Sequence, residues 1–227
     1  MLAAGADLTS DGAREALTTL CETYWYPLYA FLRSRGHHAE EAEDLTQAFF
    51  TRVLEKHALQ HADPARGRFR SFLLKSLTHF AANEHDREVA LKRGGGSPIL
   101  ALELQTAEGR FQLEPSTNET PERIFDRHWA LTLLNRVIDT LTTEMRSRDK
   151  HDLFDGLKSY LTGDAPQPSY AETAARLGMS EAAVKVAVHR LRKRFRELLR
   201  DEIAHTVSSD EEIEDELSYL RSAVTVR

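Results

Sequence analysis

The stretch at residues 169–199, "SYAETAARLGMSEAAVKVAVHRLRKRFRELL", has the punctuation of two helices joined by a tight turn. Ser169 and Glu172 have the spacing of a capping box, Gly178 permits the turn, and Ser180 can cap the second helix. Apolar residues then recur at three- and four-residue steps, which predicts one buried stripe. The stretch therefore predicts a helix-turn-helix. The stripe consists of Val184, Val188, Leu191, Phe195 and Leu198.

The polar faces of the second helix are basic. A helix of this width fits the DNA major groove, where cations can donate to guanine or neutralise phosphates. Val186 lies nearly opposite the stripe and is either an ordinary exposed valine or a contact for a thymine methyl group. A solvated basic helix is the alternative, but the turn, the caps and the charge together favour DNA binding. One flank carries Lys185, His189, Arg192 and Arg196, and the other carries Arg190 and Arg194.

Helical periods dominate the rest of the chain, and no convincing alternating strand is found. We predict a first helix to about Tyr24, another that begins at Pro27 and ends at Gly36, and a long one over residues 39–57. Thr120 and Pro121 give a strong start signal for a later helix. The predicted fold is all-α, with two small helical domains at 1–96 and 120–206, a flexible linker at 97–119, and an acidic helical extension at 207–227.

The helix over residues 39–57 has two apolar sides. Ala42, Leu45, Phe49 and Val53 form a face that a domain core can absorb. Phe50 and Leu54 lie on the opposite side, beside Glu43 and Gln47, where solvent is expected. An apolar pair among polar groups predicts a protein interface, although a neighbouring helix could cover the same face.

The next segment interleaves cations and aromatic rings. Basic groups can pair with phosphates while unstacked bases lie against rings, so this mixture suits a single nucleic-acid strand. Some rings have the spacing of a core stripe, and Phe69 is the ring we expect to be exposed. The residues predicted to contact DNA are Arg66, Arg68, Phe69, Arg70, Lys75, His79, Asn83 and Arg87.

The end of the chain is acidic. Ser208 or Ser209 can cap a terminal helix whose apolar residues, Ile213, Leu217, Leu220 and Val224, share one face. Such a helix needs a packing partner. It either packs on the second domain or acts as a regulatory element whose acidic face competes with DNA for the basic helix.

The composition sets bounds on function. The net charge of -6 argues weakly against nucleic-acid binding unless charge is segregated along the chain, and the acidic tail supplies that segregation. One cysteine excludes an internal disulfide framework. No apolar run reaches a membrane span, so a cytoplasmic protein is expected. Scattered His-Asp pairs form no recognised metal or nucleotide motif, and we predict no catalytic residues, metal or cofactor.

The ordered blocks "AEDLTQAFF", "RGRFRSFLLKSLTHFAANEHDR" and the helix-turn-helix together resemble an extracytoplasmic-function sigma factor of bacterial RNA polymerase, in the sigma-70 family. The resemblance covers about residues 20–95 and 120–200. It implies a region 2 that binds the polymerase clamp and melts the minus-ten promoter element, and a region 4 that reads the minus-thirty-five element. Core RNA polymerase, at its clamp and flap, and promoter DNA, double- and single-stranded, are the implied partners. An anti-sigma or other regulatory protein stays open as a further partner.

Residue roles carried over from the resemblance fall into three sets. The polymerase-binding set is Glu43, Asp44, Leu45, Gln47, Phe50 and Leu54, and the minus-ten set is the group of cations and polar residues between Arg66 and Arg87 given above. The minus-thirty-five set is Ser180, Lys185, Val186, His189, Arg190, Arg192 and Arg194. Where the family often has Asn and Asp on the melting helix, this chain carries His79 and Asn83, and Phe72 replaces a tryptophan. These departures bear on the promoter sequence rather than on the function.

Two other classes of function are weighed. An enzyme is disfavoured because the histidines are scattered over polar helix faces. A stand-alone helix-turn-helix regulator with a helical sensor domain is the alternative; it would need neither a polymerase-facing Phe50 nor a strand-capturing segment.

Overall fold

The computed structural model describes residues 11–55, 68–90, 107–112, 119–162, 167–204, 206–207 and 209–225. In these ranges every regular element is a helix, which confirms the predicted all-α class. The helices are α1 (Asp11–Ser34), α2 (Ala39–Glu55), α3 (Phe69–Ala90), α4 (residues 107–112), α5 (Pro121–Ser147), α6 (His151–Leu157), α7 (Ser159–Thr162), α8 (Tyr170–Leu177), α9 (Glu181–Ala204) and α10 (Asp210–Val224).

The predicted break at Pro27 is wrong, because α1 runs through the proline as one helix. A proline inside a helix removes one backbone hydrogen bond and costs about 3 kcal/mol. All residues from 23 to 32 are buried, and Leu28, Tyr29 and Ala30 are fully so. Burial of that many apolar side chains, at about 1.5–3 kcal/mol each, outweighs the cost of the proline. Gly36 ends the helical segment as predicted, with a φ of 96° that favours glycine.

The chain divides into two compact units, Met1–Leu131 together with Thr206–Arg227, and Thr132–His205. The boundary therefore falls inside α5. In the first unit α1 packs on α2 and α2 on α3. Its core contains the fully buried Phe31 of α1, Leu73 and Leu77 of α3, and Phe125 and Trp129 of α5. The start of α5 thus contributes to the core of the N-terminal unit.

The predicted linker at 97–119 is wrong in part, because residues 107–112 form α4. Ala107 is buried, and Glu108 accepts hydrogen bonds from Arg33 at 3.0 and 2.9 Å and from the Tyr29 hydroxyl. Arg110 lies over the ring of Tyr26, 3.9 Å from its centroid. Side-chain contacts to α1 hold a segment whose own sequence shows no sustained helical period.

The acidic terminal helix exists as predicted. The Ser209 side chain caps α10 by accepting from the Glu212 amide, and Ile213 and Leu220 are buried. Its predicted location is wrong: α10 belongs to the first unit, not to the second domain or its basic helix. Its Arg70 and Asp126 partners lie on α3 and α5 of the first unit.

In the second unit α8 packs on α9, α6 on α8 and α7 on α9. The pattern of residues 149–161 predicts one helix that Gly163 and Pro166 end, but the chain forms α6 and α7 there, with a break at Lys158. Gly163 and Pro166 themselves lie outside the described residues.

Candidate nucleic-acid and polymerase interfaces

The turn between α8 and α9 has the predicted geometry. Ser169 and Glu172 form a reciprocal capping box, in which the Ser169 amide donates to the Glu172 carboxylate at 2.8 Å. This backbone hydrogen bond lowers the pKa of Glu172, and the hydrogen bond from the Ser169 side chain lowers it further. Gly178 adopts φ 64° at the turn, and the Ser180 hydroxyl accepts from the Ala183 amide at 3.2 Å. The start of α9 is therefore held by local hydrogen bonds on both sides of the turn.

The first three turns of α9 present a compact exposed surface. The buried side of the helix consists of Val184, Val188, Leu191 and Leu198, as predicted, whereas Phe195 is half-buried. Val186 is 50% exposed, unlike any other large apolar side chain in the described part of the chain. The exposed residues around it are Lys185, His189 and Arg190. These four side chains form what we term the α9 reading face.

Two arginines of the predicted DNA-binding set have structural partners. Arg194 donates to Glu144 of α5 at 3.0 and 2.5 Å, and the hydrogen bond from Arg194 lowers the pKa of Glu144. Arg192 donates twice to the backbone carbonyl of Tyr160, at 3.2 and 3.0 Å. The assignment of Arg194 to DNA stays a prediction, and in this structure its guanidinium binds a carboxylate within the unit. Arg192 is exposed, but its donors fix α9 against α7.

A second polar row lies along α3. Leu73, Leu77 and Phe80 face the core, and Ser71, Lys75, His79 and Asn83 are exposed. Because the last four residues are spaced by four positions, they share one side of the helix. The described members of the minus-ten set that reach solvent are thus Lys75, His79 and Asn83, together with the partly exposed Arg68. Arg66 and the Arg87 side chain lie outside the described residues.

Arg70 is a correction to the predicted set. It is 5% exposed, it donates to Glu216 of α10 at 2.8 and 3.3 Å, and it donates to Asp126 of α5 at 3.3 Å. Its guanidinium also lies over the rings of Trp129 and Tyr219, at 5.0 and 4.1 Å. A cation enclosed in this way joins three helices and cannot reach a DNA strand while α10 is in place.

The prediction of an exposed Phe69 is also wrong. Its ring is half-buried and meets Tyr24 edge-on, with centroids 5.7 Å apart, and Phe72 at 6.2 Å. The start of α3 therefore uses this ring to pack against α1.

On α2 the apolar pair does not project outward. Phe50 is only 5% exposed and packs edge-on against Phe49, with centroids 5.9 Å apart. The predicted solvent-facing Phe50 is wrong, because neighbouring helices cover both apolar sides of α2; the Leu54 side chain lies outside the described part. Asp44 is exposed, and Glu43, Leu45 and Gln47 are half-buried. Burial, followed by the neighbouring Asp44 and Glu40 charges, raises the pKa of Glu43.

Sequence reasoning missed Asp126, Glu216 and Tyr219. Glu216 is 2% exposed and sits three residues after the buried Ile213 and four before the buried Leu220. An acidic residue in the apolar stripe of a terminal helix is a signal for a buried cationic partner. Asp126 carried no such signal, because it lies among mixed residues at the start of α5.

No group of three or more His, Cys, Asp or Glu side chains in the described ranges could hold a metal ion. Across the same residues, none of the helices has the length and apolar character of a membrane span.

Comparison with known proteins gives one match. Residues 20–89 match the family model for sigma-70 region 2, which spans α1 from Leu20, α2 and nearly all of α3. No curated protein and no solved structure gives a significant match. The match covers the helices that carry the predicted polymerase-binding and minus-ten residues, and it confirms the sigma-70 part of the resemblance for the first of the two blocks. The match supports a sigma-70 family sigma factor, with the matched region 2 at residues 20–89.

Proposed function

We propose that the protein is an extracytoplasmic-function type sigma factor that directs bacterial RNA polymerase to promoters with two DNA-binding surfaces. The α3 row of Lys75, His79 and Asn83 contacts the minus-ten element, and the α9 reading face contacts the minus-thirty-five element. The observation that carries the proposal is the α9 reading face behind a correctly capped turn, in a chain that also has region 2. This function places the protein with the polymerase and the chromosome in the cytoplasm.

Lys185 and Arg190 have the chemistry to read guanine or to bind phosphate, and Val186 offers an apolar contact between them. The Lys185 ammonium is held 2.6 Å from Glu181, one turn away, and lies 5.6 Å from the Tyr170 ring centroid. This exposed ion pair is weak enough to exchange for a phosphate contact. Phosphate contacts supply affinity, and base-edge contacts supply the sequence preference.

Polymerase binding is proposed for the polar side of α2. With Phe50 buried, the side chains that can contact a partner are Asp44, which is exposed, and Glu43, Leu45 and Gln47, which are partly so. Phe50 then acts indirectly, by fixing α2 against the core. An acidic face of this kind fits a basic partner surface and steers its approach.

Run-off transcription with core RNA polymerase and DNA fragments selected by the complex tests the proposal. Arg190→Ala should reduce promoter affinity by about tenfold, since one base-reading pair contributes roughly 1–3 kcal/mol. Lys158→Ala is the matched control, because it removes an exposed cation of the same unit that lies outside α9. Equal transcription by wild-type and Arg190→Ala protein would refute the assignment of α9.

Affinity for core polymerase is measured separately. Asp44→Arg should weaken it roughly tenfold or more by charge reversal, whereas Asp139→Asn, an exposed acid on α5, should leave it unchanged. A stand-alone helix-turn-helix regulator is the competing function. It would bind DNA without the polymerase, and it would yield no initiation when added to the core enzyme alone.

A further inference from the structure

The contact between α10 and α3 is built around a buried carboxylate. Glu216 is 2% exposed and accepts from Arg70 at 2.8 Å and from Arg68 at 2.9 Å. Taking a carboxylate out of water is unfavourable unless its oxygens are well paired, and here two guanidinium groups pair it. The contact is therefore specific for an acid at this position of α10.

Tyr219 completes the contact one turn later. Its hydroxyl donates to Asp126, and its ring lies beneath Arg70 and Arg68, with distances of 4.1 and 5.3 Å to its centroid. Burial and the hydrogen bond to Asp126 raise the pKa of Tyr219 to about 12, so the hydroxyl remains a donor across the physiological range. Ile213 and Leu220 add apolar burial.

The covered surface adjoins the exposed row of α3. A cavity of about 440 Å³ is lined on one side by Ser71, Lys75 and Thr78 of α3 and on another by Tyr219 of α10, with Arg68 at its edge. Tyr219 of α10 therefore lies beside the side of α3 at which the proposed minus-ten row begins. The helix itself carries six acidic residues and one arginine, a net charge of about −5, which repels a phosphate backbone.

We propose that α10 is a competitor of promoter DNA within the chain, one that occupies Arg68 and holds an acidic helix beside the start of the α3 row until it is displaced. The inference rests on the proposed function, because it requires α3 to contact DNA. The two arginines differ in role. Arg70 keeps Asp126 and Trp129 when α10 leaves, so it anchors the site. Arg68, whose side chain is already 38% exposed, loses its carboxylate partner and becomes available to a phosphate.

The test uses full-length protein in complex with core RNA polymerase and a fluorescent single-stranded oligonucleotide of randomised sequence. Glu216→Gln removes the charge and keeps the shape. It should bind the oligonucleotide roughly tenfold more tightly than wild type, the size of one charge-assisted hydrogen bond. The slope of log affinity against log salt should steepen by about 0.7 for each phosphate that Arg68 gains. Asp215→Asn, which neutralises an exposed acid of the same helix, is the matched control and should change neither quantity.

A second background separates competition from a general loosening of the fold. In Arg68→Ala protein, the gain from Glu216→Gln should disappear, because the freed cation is absent. Hydrogen exchange of the α10 amides checks that Glu216→Gln releases the helix while α1 stays protected. Equal affinity of wild-type and Glu216→Gln complexes for the oligonucleotide, with α10 released, overturns the inference and leaves the proposed function standing. If no complex binds single-stranded DNA at all, the proposed function itself fails.

Discussion

Replacement of Arg70 should damage the fold of the first unit rather than its DNA contacts alone. Arg70→Ala leaves Glu216 and Asp126, whose side chain is 14% exposed, without their shared cation. Removal of one partner of a buried ion pair costs about 3–5 kcal/mol. Domains of this size are stable by only about 5–15 kcal/mol, so the substitution should remove a large share of the stability of the unit.

The two tryptophans allow the stability of the first unit to be measured by itself. Trp25 and Trp129 are both buried in the first unit, and the sequence contains two tryptophans, so fluorescence during urea unfolding reports that unit alone. With an m-value of about 2 kcal/mol/M, a loss of 3 kcal/mol lowers the midpoint by about 1.5 M. Lys75→Ala is the matched control: it removes an exposed cation from the same helix and should shift stability by less than about 0.5 kcal/mol.

The deficit of Arg70→Ala should also depend on pH. The pKa values of Glu216 and Asp126 are raised above their ordinary values, and burial is the largest cause of both shifts. A carboxyl with a raised folded-state pKa binds its proton more tightly when folded, so it gains stability as pH falls through that pKa. Without Arg70 this gain in stability is larger. The difference in unfolding free energy between Arg70→Ala and wild type should therefore narrow as the pH falls from 7 to 5. An Arg70→Ala midpoint equal to that of wild type, together with lost DNA binding, would refute the structural role and restore Arg70 to the DNA-contacting set.

Three further outcomes are expected in the second unit. Gly178→Ala should destabilise it by about 1 kcal/mol, since φ is 64° there, and faster hydrogen exchange of the α8 and α9 amides reports this; unchanged exchange contradicts it. Val186→Ala should alter promoter selection without a change in exchange, whereas the buried Val188→Ala should speed exchange; equal effects of the two would remove Val186 from the reading face. Glu144 has a lowered pKa, so the stability that its pair with Arg194 contributes is lost as pH falls below the ordinary value of 4.5. The melting temperature of Arg194→Gln protein, followed by far-UV circular dichroism, should therefore lie further below that of wild type at pH 7 than at pH 3. An equal difference at the two pH values counts against the pair.

Features set by neighbouring residues were predictable from the sequence. The capping box at Ser169, the turn at Gly178 and the cap of α10 at Ser209 depend on hydrogen bonds over three or four residues, and each has the predicted geometry. The buried stripe of α9 is likewise a matter of helical period, and the structure buries Val184, Val188, Leu191 and Leu198. Local chemistry therefore fixed the helix-turn-helix almost completely.

Features set by contacts distant in sequence were not predictable. The helical period marked Phe50 as lying away from the main stripe, but it could not show that neighbouring helices cover both sides of α2. Pro27 predicts a break by its own chemistry, which burial of α1 overrides. Glu216 pairs with Arg70 across 146 positions. Only the misplaced acid in the stripe of α10 hinted at that partner.

In this chain of net charge -6, the basic residues fall into two groups: those that face an acid across a helix contact, and those that face solvent. Arg70 pairs with Glu216 and Arg194 pairs with Glu144, so both arginines stabilise contacts between helices. Lys75 and Arg190 point to solvent on turns of α3 and α9 where the buried side is purely apolar. The proposed DNA-binding surface is therefore narrower than the number of basic residues suggests. Because the salt dependence of binding to a polyanion scales with the number of phosphates neutralised, a narrow surface predicts a shallow salt dependence while α10 is in place. Displacement of α10 adds Arg68 to that surface and should steepen the dependence.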